Sequence, residues 1–215
     1  MTKTWKWSGG DKRCVHLDFH TSELIENVGA DFDREAFTEM LKKTGLDSIT
    51  LFAKCHHGCF YYSDSKFFVH PHLACEILDE QLAACKAAGV SAKIYISAGY
   101  DEYTARKHPE WLGIYQKGKP QEPNGFRRFC FNSGYLDLLK EQAREVVKKY
   151  KPDGVFFDIV ANWPCYCDNC IADMKKKGLD PENEDDLWQQ SRDVAQHYFD
   201  EMDKVVHEVS PETVI

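Results

Sequence analysis

An α/β fold built on a parallel sheet is predicted by three observations. Short strand-like runs alternate with amphipathic helical stretches along the 215 residues. Each strand run is apolar on one parity and collects polar side chains on the other towards its C-terminal end. No glycine-rich phosphate loop follows the first run, which counts against a dinucleotide-binding sheet. The alternation implies parallel strands joined by right-handed crossovers. The polar parity favours a TIM-type (β/α) barrel over a doubly wound open sheet. In a barrel the apolar parity packs under the helices, and the other points inward and opens at the mouth.

The first strand is expected over Arg13 to Thr21, with Val15, Leu17 and Phe19 on one parity and His16, Asp18 and His20 on the other. A helix follows with Asp33 as N-cap, Phe32 and Phe37 at the staple positions, and Gly45 at its end. The second strand is Ser48 to His57, where Lys54 and His56 share the inward parity. The next helix, Leu73 to Ala88, buries Ile77, Leu78, Leu82 and Cys85. Ser91 to Ala98 is the third strand, with Tyr95 and Ser97 inward. A loop of about thirty residues then runs from Asp101 to Ser133, a length that suggests a functional excursion. A helix from Tyr135 to Tyr150 leads to the fourth strand, Gly154 to Val160, which carries Asp158. After a cysteine-rich loop and a short helix, a final helix spans about Asp186 to Val209. Glu-Thr-Val-Ile at 212–215 reads as the opening of a fifth strand.

Four βα units and one strand opening make about the first half of an eight-unit barrel. Residues 1–215 are therefore read as the N-terminal portion of a single (β/α)8 domain. The other half is expected from a longer polypeptide or from an association that covers the open sheet edges.

Composition narrows the function. A hydrophobic share of 43% and an aromatic share of 13% suffice for a core, which excludes disorder. A formal charge of −8 argues against general nucleic-acid binding and against a polybasic membrane anchor. No apolar run approaches the roughly 20 residues of a spanning helix. The first ten residues show no signal-peptide core, so a cytoplasmic location is expected. In that reducing setting the nine cysteines read as thiols, core fillers or metal ligands.

Five groups of residues carry candidate chemistry. Asp158 ends an apolar strand, where a buried charge is costly unless paired, and strand-end carboxylates of barrels are often catalytic. His56 and His57 are adjacent, so on a continuous strand they point to opposite faces; a strand ending between them lets both line the mouth. Asp18 and His20 stand two apart and suit either sugar hydroxyls or an internal ion pair. Cys165, Cys167 and Cys170 supply three soft ligands in a C-x-C-x₂-C run, and Cys130 is the candidate fourth. A closed Cys₄ site is a structural zinc site, with free thiols or a redox Cys-x₂-Cys pair as the other readings. Trp163, Tyr100, Tyr103 and Trp111 lie near strand ends as stacking platforms for sugar rings or as packing.

These residues resemble a known family. Leu17-Asp18-Phe19-His20-Thr21, Ala53-Lys54-Cys55-His56-His57-Gly58, Lys93-Ile94-Tyr95-Ile96-Ser97 and Lys151 to Asp158 resemble successive strands of the α-L-fucosidase family of retaining glycoside hydrolases. The related barrels described as hypothetical glycosyl hydrolases look similar too. The resemblance implies a carbohydrate substrate and sugar-binding histidines, and it puts the nucleophile at Asp158. In the fucosidases the second-strand run reads Ala-Lys-His-His-Asp-Gly; here Cys55 is inserted and the Asp is lost. The acid/base is implied to lie on a later strand, past Ile215. Arg127 to Ser133 with the cysteine cluster is similar to the zinc site of the barrel β-galactosidases. Their Asn-Glu pair ending the fourth strand is replaced here by Asp158-Ile159. The substrate-binding set is thus Asp18, His20, His56, His57, Tyr95 and Trp163. A β-galactosidase-like enzyme, an inactive sugar-binding barrel and a zinc or redox protein are the alternatives.

Overall fold

The structure, a computed structural model, describes residues 12–123 and 125–215. The signal-peptide reading of the first ten residues falls outside them. Four strands form one parallel sheet in the order β1-β2-β3-β4: β1 (Cys14–His16), β2 (Ser48–Lys54), β3 (Ser91–Ser97) and β4 (Gly154–Asp158). Beyond β4, Val214 pairs in parallel with Gly154, so a fifth strand opens where the sequence places it. The sheet is a half-barrel, wrapped on its outer side by the helices.

That layer is made by α1 (Arg34–Thr44), α2 (Ile77–Ala88), α4 (Tyr135–Tyr150) and α6 (Glu184–Val209), while the shorter α3 (Glu102–Lys107) and α5 (Asp168–Lys177) lie in the segments that follow β3 and β4. The Asp33 side chain caps α1 through the Ala36 N–H, and Gly45 closes it at φ 62°. Ile49, Leu51, Ile94, Ile96 and Val155 face outward and are buried with Leu78, Leu139, Val146 and Met202 from the helices. The opposite parity faces into the half-barrel. There His16, Phe52, Tyr95 and Phe156 form an aromatic layer, with Phe52 stacked on Tyr95 at 3.8 Å. Phe156 is 46% exposed, because among the described residues no further strand stands opposite it.

Several boundaries differ from expectation. β1 stops at His16; Leu17 still donates to Thr50, and the chain then leaves the ladder. β2 stops at Lys54, and Cys55–Gly58 is a turn closed by the Gly58 N–H on the Cys55 carbonyl. β4 ends at Asp158 because Ile159 adopts φ 60°. The segment before α2 is extended rather than helical, since His72 and Ala74 exchange backbone hydrogen bonds with Val28; Cys75 therefore precedes the helix. Asn183 starts α6 two residues earlier than expected by accepting from the Asp185 and Asp186 N–H groups. The long loop holds α3 and a 3₁₀ turn over Pro109–Trp111. Lys54 corrects the parity argument. A bulge between Phe52 and Lys54 turns its side chain outward into the helix layer.

Candidate active site

The polar ends of the four strand segments converge above the aromatic layer. Asp158 is held at both carboxylate oxygens: the Tyr95 hydroxyl donates to Oδ2 at 2.7 Å and the Ile159 N–H to Oδ1 at 2.8 Å. Its side chain is one-third exposed, and His56 Nε2 lies 4.0 Å from Oδ2. Burial, together with the Asp158 charge, pushes the Tyr95 hydroxyl well above its usual range, so it stays a donor.

The end of β4 is conformationally unusual. Ile159 is β-branched and sits in the left-handed region, a strained backbone that sets Asp158 at the turn. The Asp158 carbonyl accepts from both Ala98 and Gly99 N–H groups. A Cβ at position 99 would overlap the Ile159 carbonyl oxygen, so glycine is required there by close approach.

Both histidines sit on the turn after β2. The Ser97 hydroxyl donates to the Tyr100 carbonyl at 2.7 Å, so it must accept from His56 Nδ1, also at 2.7 Å. This pattern assigns the proton to Nδ1 and leaves Nε2 as an acceptor on the Asp158 side. Burial lowers the His56 pKa to about 4, helped by the neighbouring His20 ring, so the imidazole is neutral at pH 7. His20 stacks on His56 at 3.9 Å, accepts from the His56 N–H at Nδ1, and meets Asp18 through Nε2 at 3.0 Å. Phe126 closes edge-on against both rings, 5.1 Å from His56 and 5.0 Å from His57.

Asp158, His56, His20, Asp18 and Tyr95 thus form one connected cluster, and His57 joins it through Phe126. Trp163 stands apart: 48% exposed, it packs 4.9 Å over the Arg128 guanidinium, beside the cysteine loop. Ser97 and Phe126 were missed as site residues from the sequence. The inward parity of Ser97 was the available signal for it; Phe126 carries none, because only the return of the long loop brings it over the histidines.

A second site is built by the loops after β3 and β4. The Sγ atoms of Cys130, Cys165, Cys167 and Cys170 all lie within 4.8 Å of one another, and those of Cys130 and Cys170 are 3.4 Å apart. All four residues are buried. Cys167 is the N-cap of α5 and Cys170 lies in its first turn, which accounts for two of the four placements. Cys130 and Tyr166 are each anchored by donating to the strand-three loop, at Trp111 and Ile114. Hydrogen bonds from the other three hold the Cys167 thiol far below its usual range. A tetrahedral ion with bonds of about 2.3 Å to sulfur has its ligands about 3.8 Å apart, so the cluster fits a metal ion.

A carboxylate, two imidazoles and a tyrosine gather where parallel strands end, the place at which (β/α) barrels carry their active sites. Comparison with known proteins gives the family. Residues 33–159 match the family described as Hypothetical glycosyl hydrolase 6, and the chain belongs to that family. The matched span includes His56, His57, Tyr95, Cys130 and Asp158. Alpha-L-fucosidase isoenzyme 2 from Paenibacillus thiaminolyticus is 40% identical with a TM-score of 0.87, over 94% of this chain and 31% of that one. A β-galactosidase from Halorubrum lacusprofundi shares the fold at 16% identity and a TM-score of 0.66, over 94% of this chain and 35% of that one. Another, from the psychrophilic Marinomonas ef1, does so at 12% and 0.65, over 94% and 36%. The chain thus spans about a third of the length of these relatives. No curated protein matches the chain.

Proposed function

We propose that this chain is the nucleophile-bearing portion of a retaining glycoside hydrolase acting on an α-L-fucoside-like sugar. The observation that carries the reading is the setting of Asp158. Its carboxylate is oriented by two donors, open to solvent on one side, and flanked by a neutral imidazole. In the proposed reaction an Asp158 oxygen attacks the anomeric carbon as the bond to the leaving oxygen breaks. A second carboxyl, about 5–5.5 Å away, protonates that oxygen and later activates the water that cleaves the glycosyl ester. That group is proposed to come from the part of the barrel this half lacks, supplied by further sequence or by association across the open edges.

His56 Nε2 would accept from a sugar hydroxyl next to Asp158. His57, His20 and Asp18 would bind neighbouring hydroxyls, Tyr95 would orient the nucleophile, and Trp163 would offer an outer platform. Similarity to the fucosidase supports the sugar class. The ion proposed for the four cysteines is zinc. With four thiolates and no open position it would staple two loops and take no part in the chemistry. Nine cysteines with no disulfide among them suit the cytoplasm as the proposed location.

The test is Asp158→Ala in the active protein. Hydrolysis of an aryl α-L-fucoside is expected to fall about a thousandfold or more, because the covalent route is lost. Azide should restore part of the rate and yield a fucosyl azide of inverted configuration. Turnover close to that of the parent would remove Asp158 from the nucleophile's role.

A further inference from the structure

Lys54 and Asp101 form a fully buried ion pair outside the proposed sugar site. The Lys54 ammonium lies 2.9 Å from Asp101 Oδ2, 2.9 Å from Gln142 Oε1 and 3.2 Å from the Tyr135 hydroxyl. All three of its donors are thus satisfied, with neither charged side chain more than 1% exposed. A buried pair of this kind is weak evidence for stability, since desolvation consumes much of the Coulombic gain. Its connections point to another role.

Asp101 touches both α3 and Gly58, two of the parts that hold the histidine turn. Its Oδ1 caps α3 through the Thr104 N–H at 2.8 Å. The first two N–H groups of α3, from Glu102 and Tyr103, donate to the carbonyls of His56 and His57 at 3.0 and 3.1 Å. Gly58, which closes the turn at φ 87°, lies against Asp101 so tightly that a Cβ would overlap Oδ1. Lys54 is the last residue of β2, one step before the turn. The α3 helix also carries Glu102, whose carboxylate accepts from Arg127 at Nε and Nη2 (3.1 and 2.9 Å) and at the backbone N–H (2.5 Å). That contact fixes the segment that lays Phe126 over both histidine rings.

We infer that Lys54 and Asp101 are positioning residues, which lock α3 against the strand-two turn and so set the His56 and His57 side chains at the mouth. The inference rests on the reading of those histidines as sugar-binding groups. It also accounts for the bulge in β2, which turns a lysine out of the barrel and into the helix layer.

The decisive variant is the double substitution Lys54→Met with Asp101→Asn. It removes both charges together, so no unpaired ion is buried, and Asn can still cap α3. The expected result is a folded protein in which the His56 ring, followed by NMR, titrates at least one unit above the parent, because a loosened turn lets water reach it. Hydrolysis by the barrel completed with its missing half should fall about tenfold, mainly through KM. Asp101→Asn alone should melt below the double variant, as it strands the ammonium. A merely structural pair would lower the melting temperature and leave the His56 titration where it was; that result overturns the inference. Should the double variant not fold, Gly58→Ala pushes on the same Asp101 oxygen and is read by the same titration. A barrel completed by its missing half that hydrolyses no fucoside would sink the glycosidase reading, while the titration would still decide the positioning role.

Discussion

His56 shows how much a single residue owes to its surroundings. In isolation an imidazole is half protonated near pH 6.5. Here burial and the stacked His20 ring bring it down to about 4, and Ser97 directs its proton to Nδ1. The consequence for stability has a definite sign. As pH falls below about 6.5 the unfolded chain takes up a proton that the folded chain refuses until about pH 4, so His56 costs stability across that window. Above 6.5 it contributes no pH dependence. Urea unfolding should therefore show the parent losing more stability between pH 7 and pH 4.5 than His56→Gln does. Equal losses in the two proteins would show that His56 is not held neutral by the fold. Asp158 depends on context in the same way: its two donors come from β3 and from a strained residue after β4.

At the scale of elements, the parts that build the site are loops and short helices pinned by specific contacts. The loop after β3 and the loop after β4 meet at the four cysteines, and α5 begins there with Cys167 as its cap. Protein purified without added metal is expected to carry about one zinc per chain, and the four thiols should react freely only after chelation. Cys130→Ala should lower the melting temperature by several degrees, because a structural ion contributes folding energy. Less than a tenth of an equivalent of zinc, with all four thiols titrating at once, would leave the cluster a group of buried thiols.

The whole molecule is a parallel half-barrel whose inner aromatic layer lacks an opposing wall among the described residues. Phe156 and Val15 are exposed, and among the described residues no further strand follows β1 or the opening fifth strand at the two ends of the sheet. Exposed edges and apolar faces favour association. Light scattering should find this chain, expressed by itself, in assemblies larger than 24.8 kDa. A stable monodisperse monomer of that mass would contradict the prediction. No helix among the described residues is long and apolar enough to cross a membrane.

Much of this was legible in the residues alone, for physical reasons. Hydrophobic period identifies strands and helices because it reports which side meets the core, so β3, α1 and α4 fell where the pattern put them, to within a residue, and β2 began where it did. Asp158 could be singled out because a charge ending an apolar strand is costly without a purpose. The spacing of Cys165, Cys167 and Cys170 pointed to soft-metal ligation because three thiols within six residues reach one ion. Tertiary structure alone decided the rest. The bulge that turns Lys54 outward is a matter of register between two strands, and no property of Lys54 announces it. His56 and His57 share the mouth because the strand ends before them, an outcome set by the docking of α3 on their carbonyls. Cys130 meets its three partners across forty residues of chain, and Phe126 meets the histidines across seventy. Short-range pattern records which side of an element is buried. Contacts between elements depend on how the whole layer packs, and that is settled only when the chain has closed around its core.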